Sequence, residues 1–242
     1  MVNYFSKDGK RFLKIILRFL SLFLIGLGLI IVAYVFFPLI SWQIYFAPQF
    51  AAQEIIAPIP KQELISQNSV QNLFTNASKA ITGINYDNAN NWFPDYKFDK
   101  NKQTKIQFFT ISIPKLKIQN AIVSLLDTNL SKHLVNYSGT ALPPQNGNAV
   151  IFGHSTLPQN YQSNNYKTIF TYLYKLTPGD EIIVNSAKVD YKYKVEKIIV
   201  VDPENTTVLE QNYDDSFLTL VTCTPPGTVW KRLVVKAKIE RI

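Results

Sequence analysis

Cysteine is nearly absent from this chain: Cys223 is the single one in 242 residues. A lone thiol cannot close an intrachain disulfide, which excludes a stapled scaffold. It leaves Cys223 as either a buried small hydrophobe or a nucleophile. Histidine is almost as scarce, with only His133 and His154. One cysteine and two histidines give no recognisable zinc spacing, so no metal and no cofactor is expected. Acidic residues are outnumbered, 17 against 25 basic ones, for a net charge of +8. Half of that excess sits in the first 18 residues, where Lys7, Lys10, Arg11, Lys14 and Arg18 face only Asp8. The remaining lysines are scattered among acids and no nucleic-acid module motif is present, which argues against a nucleic-acid partner.

Charge is then missing altogether from Phe19 to Gln53. Phe19 to Ile40 is an almost continuous apolar run, and its 22 residues reach roughly 33 Å as a helix, enough to cross a hydrocarbon core. The run is too long for a signal-peptide core and no small-x-small cleavage site follows it. The basic segment ahead of it predicts residues 1–18 in the cytoplasm, a transmembrane helix over 19–40, and everything after it outside the cell. Trp42 and Tyr45 suit the outer interface.

Sustained periodicity is lacking from about Gln53 to Lys105, a stretch rich in Asn, Gln and Pro. Residues 41–105 read as an extracytoplasmic linker. The Trp92-Phe93-Pro94 cluster is the exception, because bulky aromatics rarely sit free in a spacer; it either packs on the domain or covers its groove. From Ile106 the texture is all-β. Short β-branched and aromatic runs recur at 106–113, 120–125, 149–152, 181–184, 191–201, 217–222 and 232–239. Pro143-Pro144, Pro178-Gly179-Asp180, Asp202-Pro203 and Pro225-Pro226-Gly227 punctuate them. Residues 106–242 therefore form one domain, a sandwich or barrel, with a short helix expected at Tyr166 to Leu176.

Strand alternation says where the thiol points. In Phe217 to Cys223, Leu218 and Leu220 share one face, while Thr219, Val221 and Cys223 share the other. In the last strand Leu233, Val235, Ala237 and Ile239 face one way and Arg232, Lys236 and Lys238 the opposite way. With the leucine faces inward, Cys223 and Arg232 stand together on the outer surface, and the short connection pairs the two strands as an antiparallel hairpin. A thiol near neutral pH needs a base or cation beside it. His154 follows Ala149-Val150-Ile151-Phe152-Gly153 at a strand end, where catalytic side chains are often presented. His133 has no comparable setting and reads as an ordinary surface or structural residue.

These stretches resemble the sortases, membrane-anchored cysteine transpeptidases of bacterial envelopes. Thr219-Leu220-Val221-Thr222-Cys223 matches the active-site strand, Lys231-Arg232-Leu233-Val234-Val235 the strand that opens with an essential arginine, and Phe152-Gly153-His154 the histidine turn. Ile111-Ser112-Ile113-Pro114, Leu176-Thr177-Pro178-Gly179-Asp180 and Val201-Asp202-Pro203 are similar to further family stretches. The short Cys-to-Arg connection looks most like the class C, D and E branches. The Asp-Pro-aromatic motif of the pilus-building branch is missing, as is a second membrane segment after the domain, which favours a housekeeping-type anchoring enzyme.

The resemblance implies a closed sortase-type β-barrel of about eight strands with short helices, preceded by the transmembrane helix. It implies Cys223 as nucleophile, His154 as acid and base, and Arg232 as oxyanion stabiliser, with Thr222 and Val221 at the substrate. The expected partners are surface proteins bearing C-terminal Leu-Pro-x-Thr-Gly-like sorting signals and an amine acceptor of the cell wall or another protein. The competing reading is a non-enzymatic, membrane-anchored β-domain that binds envelope components, with Cys223 merely buried.

Overall fold

The computed structural model describes residues 8–41, 85–93 and 107–241. Helix α1 (Asp8–Ser41) contains a stretch, Lys14–Tyr34, with mean hydropathy 2.7, long and apolar enough to cross a membrane. Such a segment has no apolar partner in water, and its large side chains, Phe19, Phe23 and Phe37 among them, are exposed.

Among the described residues of the domain, eight strands close into a barrel: β1 (Phe108–Ile113), β2 (Ile118–Ser124), β3 (Leu134–Asn136), β4 (Gly147–Phe152), β5 (Glu181–Ser186), β6 (Val189–Val201), β7 (Ser216–Thr224) and β8 (Lys231–Ile239). Their order around the wall is β1-β2-β3-β4-β7-β8-β6-β5, and β5 pairs back onto β1. The pairs β2–β3 and β4–β7 are parallel and the others antiparallel. Closure removes every free sheet edge.

The alternation of β4, β7 and β8 separates two apolar clusters. Ala149, Ile151, Leu218, Leu220, Leu233 and Val235 point into the barrel. Val150, Phe152, Val221, Cys223 and Val234 point outward, into a second cluster completed by Trp92, Phe93, Tyr137, Val208 and Leu209. Both faces of β4 are therefore buried, so its sequence is a continuous apolar run rather than an alternating one. A bulge in β6 between Val195 and Lys197 shifts the inward parity. Tyr193 and Val195 face the interior, then Ile198, which lets Ile199 and Val201 join the outer cluster.

One expectation is corrected. Tyr166 to Leu176 forms turns and one 3-10 turn (Leu173–Lys175) rather than an α-helix. Thr168 Oγ1 donates to the carbonyls of Gln162 and Asn165, and Thr171 Oγ1 to that of Thr168. These side-chain bonds offer the backbone an alternative to the helical ladder. Residues 85–93, drawn within a linker, pack on the barrel: Ala89, Trp92 and Phe93 are fully buried. Trp92 and Phe93 thus pack on the domain, one of the two placements expected for them, because burying these side chains removes a large apolar area from water. Trp42, Tyr45 and Pro94 lie outside the described residues.

Candidate active site

Strands β7 and β8 bring the site together. Cys223 and Arg232 are direct cross-strand partners, and Arg232 Nη1 donates to Cys223 Sγ at 3.6 Å. The same nitrogen bonds the carbonyls of Val229 (3.0 Å) and Lys231 (3.3 Å), and Nη2 that of Trp92 (3.4 Å). The guanidinium lies over the Trp92 ring, 5.2 Å from its centroid, with Tyr86 at 5.9 Å. Arg232 is only 1% exposed and its Nε has no hydrogen-bond partner. Among the described residues no carboxylate pairs with it. A cation desolvated without a counter-charge is costly, so this position favours any negative charge that arises next to it.

Cys223 is 5% exposed. It stands on the outer face of β7, as alternation requires, yet not on an open surface: it is buried in the cluster that Ala89, Trp92 and Phe93 help to form. Burial pushes its thiol pKa up, and the Arg232 charge pulls part of that back. Burial thus favours the thiol over the thiolate in this closed arrangement.

His154 follows β4, and its Nε2 lies 3.0 Å from Asp87 Oδ1. Its ring is tilted against Trp92 at 5.8 Å between centroids. Burial holds the imidazole pKa below its usual value, against the opposing pull of the Asp87 carboxylate. The Ser131 hydroxyl, beside the carboxylate though outside good hydrogen-bonding geometry, and the His154 ring keep Asp87 below the usual carboxylate range. A neutral ring beside a charged carboxylate carries its proton on Nε2. No hydrogen bond joins His154 to Cys223; the imidazole is bound to Asp87 instead.

Gly153 explains how the histidine arrives there. A Cβ at this position would come within 2.5 Å of Leu134 Cδ2 and 2.6 Å of Phe170 Cδ2. Only glycine lets the chain leave β4 this close to its neighbours. The His154 carbonyl then accepts from Phe170 N at 3.0 Å.

The other sequence candidates are dispersed. Val221 lies fully buried on the Cys223 face. Thr222 lies on the opposite face of β7, and its hydroxyl is engaged by the Gly153 carbonyl at 2.8 Å. It is a link between β4 and β7 rather than a group open to substrate. His133 binds Asp127 at 3.0 Å and the Leu134 carbonyl at 3.1 Å, apart from the site. Among the described residues no group of three or more His, Cys, Asp or Glu side chains could hold a metal. Sequence reasoning missed Asp87, Tyr86 and Ser155. None of these carried a signal of its own; the aromatic pair Trp92-Phe93 nearby in the chain did.

A family model of the sortase domain matches residues 111–240, more than half of the chain. The chain belongs to the sortase family. This sortase is 23% identical over 225 residues to Sortase D of Bacillus subtilis (strain 168), covering 91% of this chain and 98% of that one. It is 30% identical over 148 residues to Sortase SrtE1 of Streptomyces coelicolor, covering 54% of this chain and 40% of that one. Among solved structures it resembles sortase C-1 from Actinomyces oris, with TM-score 0.51, 26% identity, and coverage of 62% and 87% of the two chains. The pilus-related Sortase C of Group B Streptococcus gives TM-score 0.50 at 25% identity, over 74% of this chain and 93% of that one. Family and fold make this sortase a cysteine transpeptidase, which sets aside the reading of a merely buried thiol in a binding domain.

Proposed function

We propose that this sortase cleaves a Leu-Pro-x-Thr-Gly-like sorting signal through a thioester on Cys223 and joins the released carboxyl end to an envelope amine. The observation that carries this reading is the buried Arg232 guanidinium, hydrogen-bonded to the only thiol and, among the described residues, paired with no carboxylate. Arg232 supplies charge where an oxyanion beside Cys223 would develop.

The balance of the reaction assigns the groups. Cys223 Sγ gives its proton to His154 and attacks the threonine carbonyl carbon, forming a tetrahedral oxyanion held by the Arg232 donors. Collapse breaks the C–N bond, and His154 returns the proton to the leaving glycine nitrogen. An acceptor amine then attacks the thioester, loses a proton to His154, and expels Cys223 as the thiol. Val221, on the same face as the nucleophile, lines the bound peptide. Residues 85–93 must withdraw for any of this, because they cover the thiol, bind Arg232 and hold His154.

In this reading residues 1–18 are cytoplasmic, the helix spans the membrane once, and the domain acts outside, on surface proteins with C-terminal sorting signals. The absence of the Asp-Pro-aromatic motif favours cell-wall anchoring over pilus assembly. The test is to incubate the full chain with a library of sorting-signal peptides and identify the Cys223 thioester by mass spectrometry. Failure of every peptide to acylate Cys223 overturns the substrate class. A C-terminal reporter active only in the cytoplasm overturns the topology.

A further inference from the structure

Strands β4 and β7 run parallel, with Phe152 opposite Val221, and the last main-chain rung is Gly153 N to Val221 O at 3.2 Å. A regular parallel ladder would continue two residues on, with the amide of residue 155 donating to the carbonyl of residue 223. The β4 chain has already turned away at His154, so that rung is lost. Ser155 replaces it: its Oγ donates to the Cys223 carbonyl at 2.7 Å. One position earlier, Thr222 Oγ1 donates to the Gly153 carbonyl at 2.8 Å. The two neighbours of His154 are thus each tied, by a side chain, to Cys223 or to the residue before it. The thiol and the imidazole themselves share no bond.

Resting on the assignment of Cys223 and His154 as the reacting pair, we propose that Ser155 is a positioning residue that sets the distance between imidazole and thiol. Its hydroxyl fixes the strand end that carries His154 to the backbone of the nucleophile. The imidazole therefore keeps its place when the Asp87 contact is lost on opening of the cover. An error of about 1 Å in such a pair costs roughly a hundredfold in rate. The Ser155 hydroxyl is already engaged by the Cys223 carbonyl, so the loss is expected on turnover rather than on peptide binding.

The test compares Ser155→Ala and Ser155→Thr with the wild-type full chain in detergent, using a fluorogenic Leu-Pro-Ala-Thr-Gly peptide and a saturating amine. Ser155→Ala is expected to lower kcat about 10- to 100-fold, with KM within about twofold. Its unfolding temperature stays close to wild type. Ser155→Thr, which keeps the hydroxyl, is expected to recover most of kcat. A kcat in Ser155→Ala within twofold of wild type overturns the proposal. So does a loss that Ser155→Thr fails to restore, or one that follows a collapse of the unfolding temperature. A wild type that neither acylates nor turns over overturns the substrate reading as well. An active wild type with an unaffected alanine variant overturns only the role of Ser155.

Discussion

The carbonyl oxygen of Trp92 accepts from Nη2 of Arg232 at 3.4 Å, so a backbone carbonyl of the protein's own chain sits on the guanidinium beside the thiol. A peptide carbonyl is the group that a transpeptidase must bring to that place. The same residue stacks its ring on Phe152 at 5.3 Å and lies under the guanidinium at 5.2 Å. Residues of one short segment thus engage two of the three site residues and pack beside them: Trp92 meets Arg232, Asp87 meets His154, and Phe93 packs on Phe152 at 5.7 Å. Cover and site form one packed unit.

Removing the nucleophile tests the chemistry. Cys223→Ala is expected to abolish thioester formation and transfer, because no other thiol is present. The small change in volume leaves the fold intact. Mass spectrometry after peptide incubation reads acylation, and circular dichroism reads the fold. Transfer at the wild-type rate in the alanine variant would remove Cys223 from the mechanism.

Arg232→Lys separates charge from geometry. Lysine keeps the charge but cannot donate at once to the Cys223 sulfur and to the carbonyls of Val229 and Trp92. Losing an oriented donor to an oxyanion costs about 2.7–4 kcal/mol, or roughly 100- to 1000-fold in kcat. Steady-state kinetics with a sorting-signal peptide provide the check, and near-full activity in the lysine variant would exclude the role given to Arg232.

Trp92→Ala should uncover the thiol. Truncating a fully buried tryptophan costs about 3–5 kcal/mol, and here that energy holds the cover shut. Alkylation of Cys223 by iodoacetamide is expected to accelerate at least about tenfold, a fraction of what that energy allows. An unchanged alkylation rate would show that residues 85–93 do not control access.

Gly153→Ala introduces a methyl against Leu134 and Phe170. Overpacking of this kind costs about 1–3 kcal/mol, and the relief available is a shift of the His154 backbone. Thermal unfolding should fall by a few degrees while kcat drops more steeply than stability requires. A variant that loses stability but keeps kcat would show that His154 tolerates displacement.

Acid should loosen the cover. The His154 pKa in the closed form is held below its ordinary value by burial. An opened form, with the ring in water, regains the usual value of about 6.5. As pH falls below that value the open form takes up a proton that the closed form refuses, and closure weakens. The Asp87 pKa is lowered too, so its carboxylate stays charged over this range and does not reverse the sign. Hydrogen exchange across residues 85–93 should be faster at pH 5.5 than at pH 7.5, after correction for intrinsic rates. Equal corrected rates would rule out the linkage.

Much of the barrel was legible because its strands are long enough to show a period. The parity of Leu218, Leu220, Val221 and Cys223 on β7, with that of Arg232 and Leu233 on β8, put thiol and guanidinium on one face before any coordinates. The N-terminal apolar helix was legible for a simpler reason: the long uncharged run within it leaves few alternatives. Strand β3 was not, since Leu134–Asn136 is three residues long and fully buried. It exists through its neighbours, Val123 and Ser124 on one side and Ile151 and Phe152 on the other.

What the sequence determined by itself is thus whatever local periodicity and motif spacing encode: the long apolar helix, most strands, and the facing of Cys223 and Arg232. What the tertiary structure alone decided is which distant segment fills the space above them. Asp87 and Trp92 lie 67 and 140 positions from the side chains they bind, His154 and Arg232. No pattern within a strand or helix can specify a contact across such a separation, because it depends on how the whole barrel closes. The direction of the pKa shifts followed from the same closure: burial pushes the Cys223 thiol up and the His154 imidazole down.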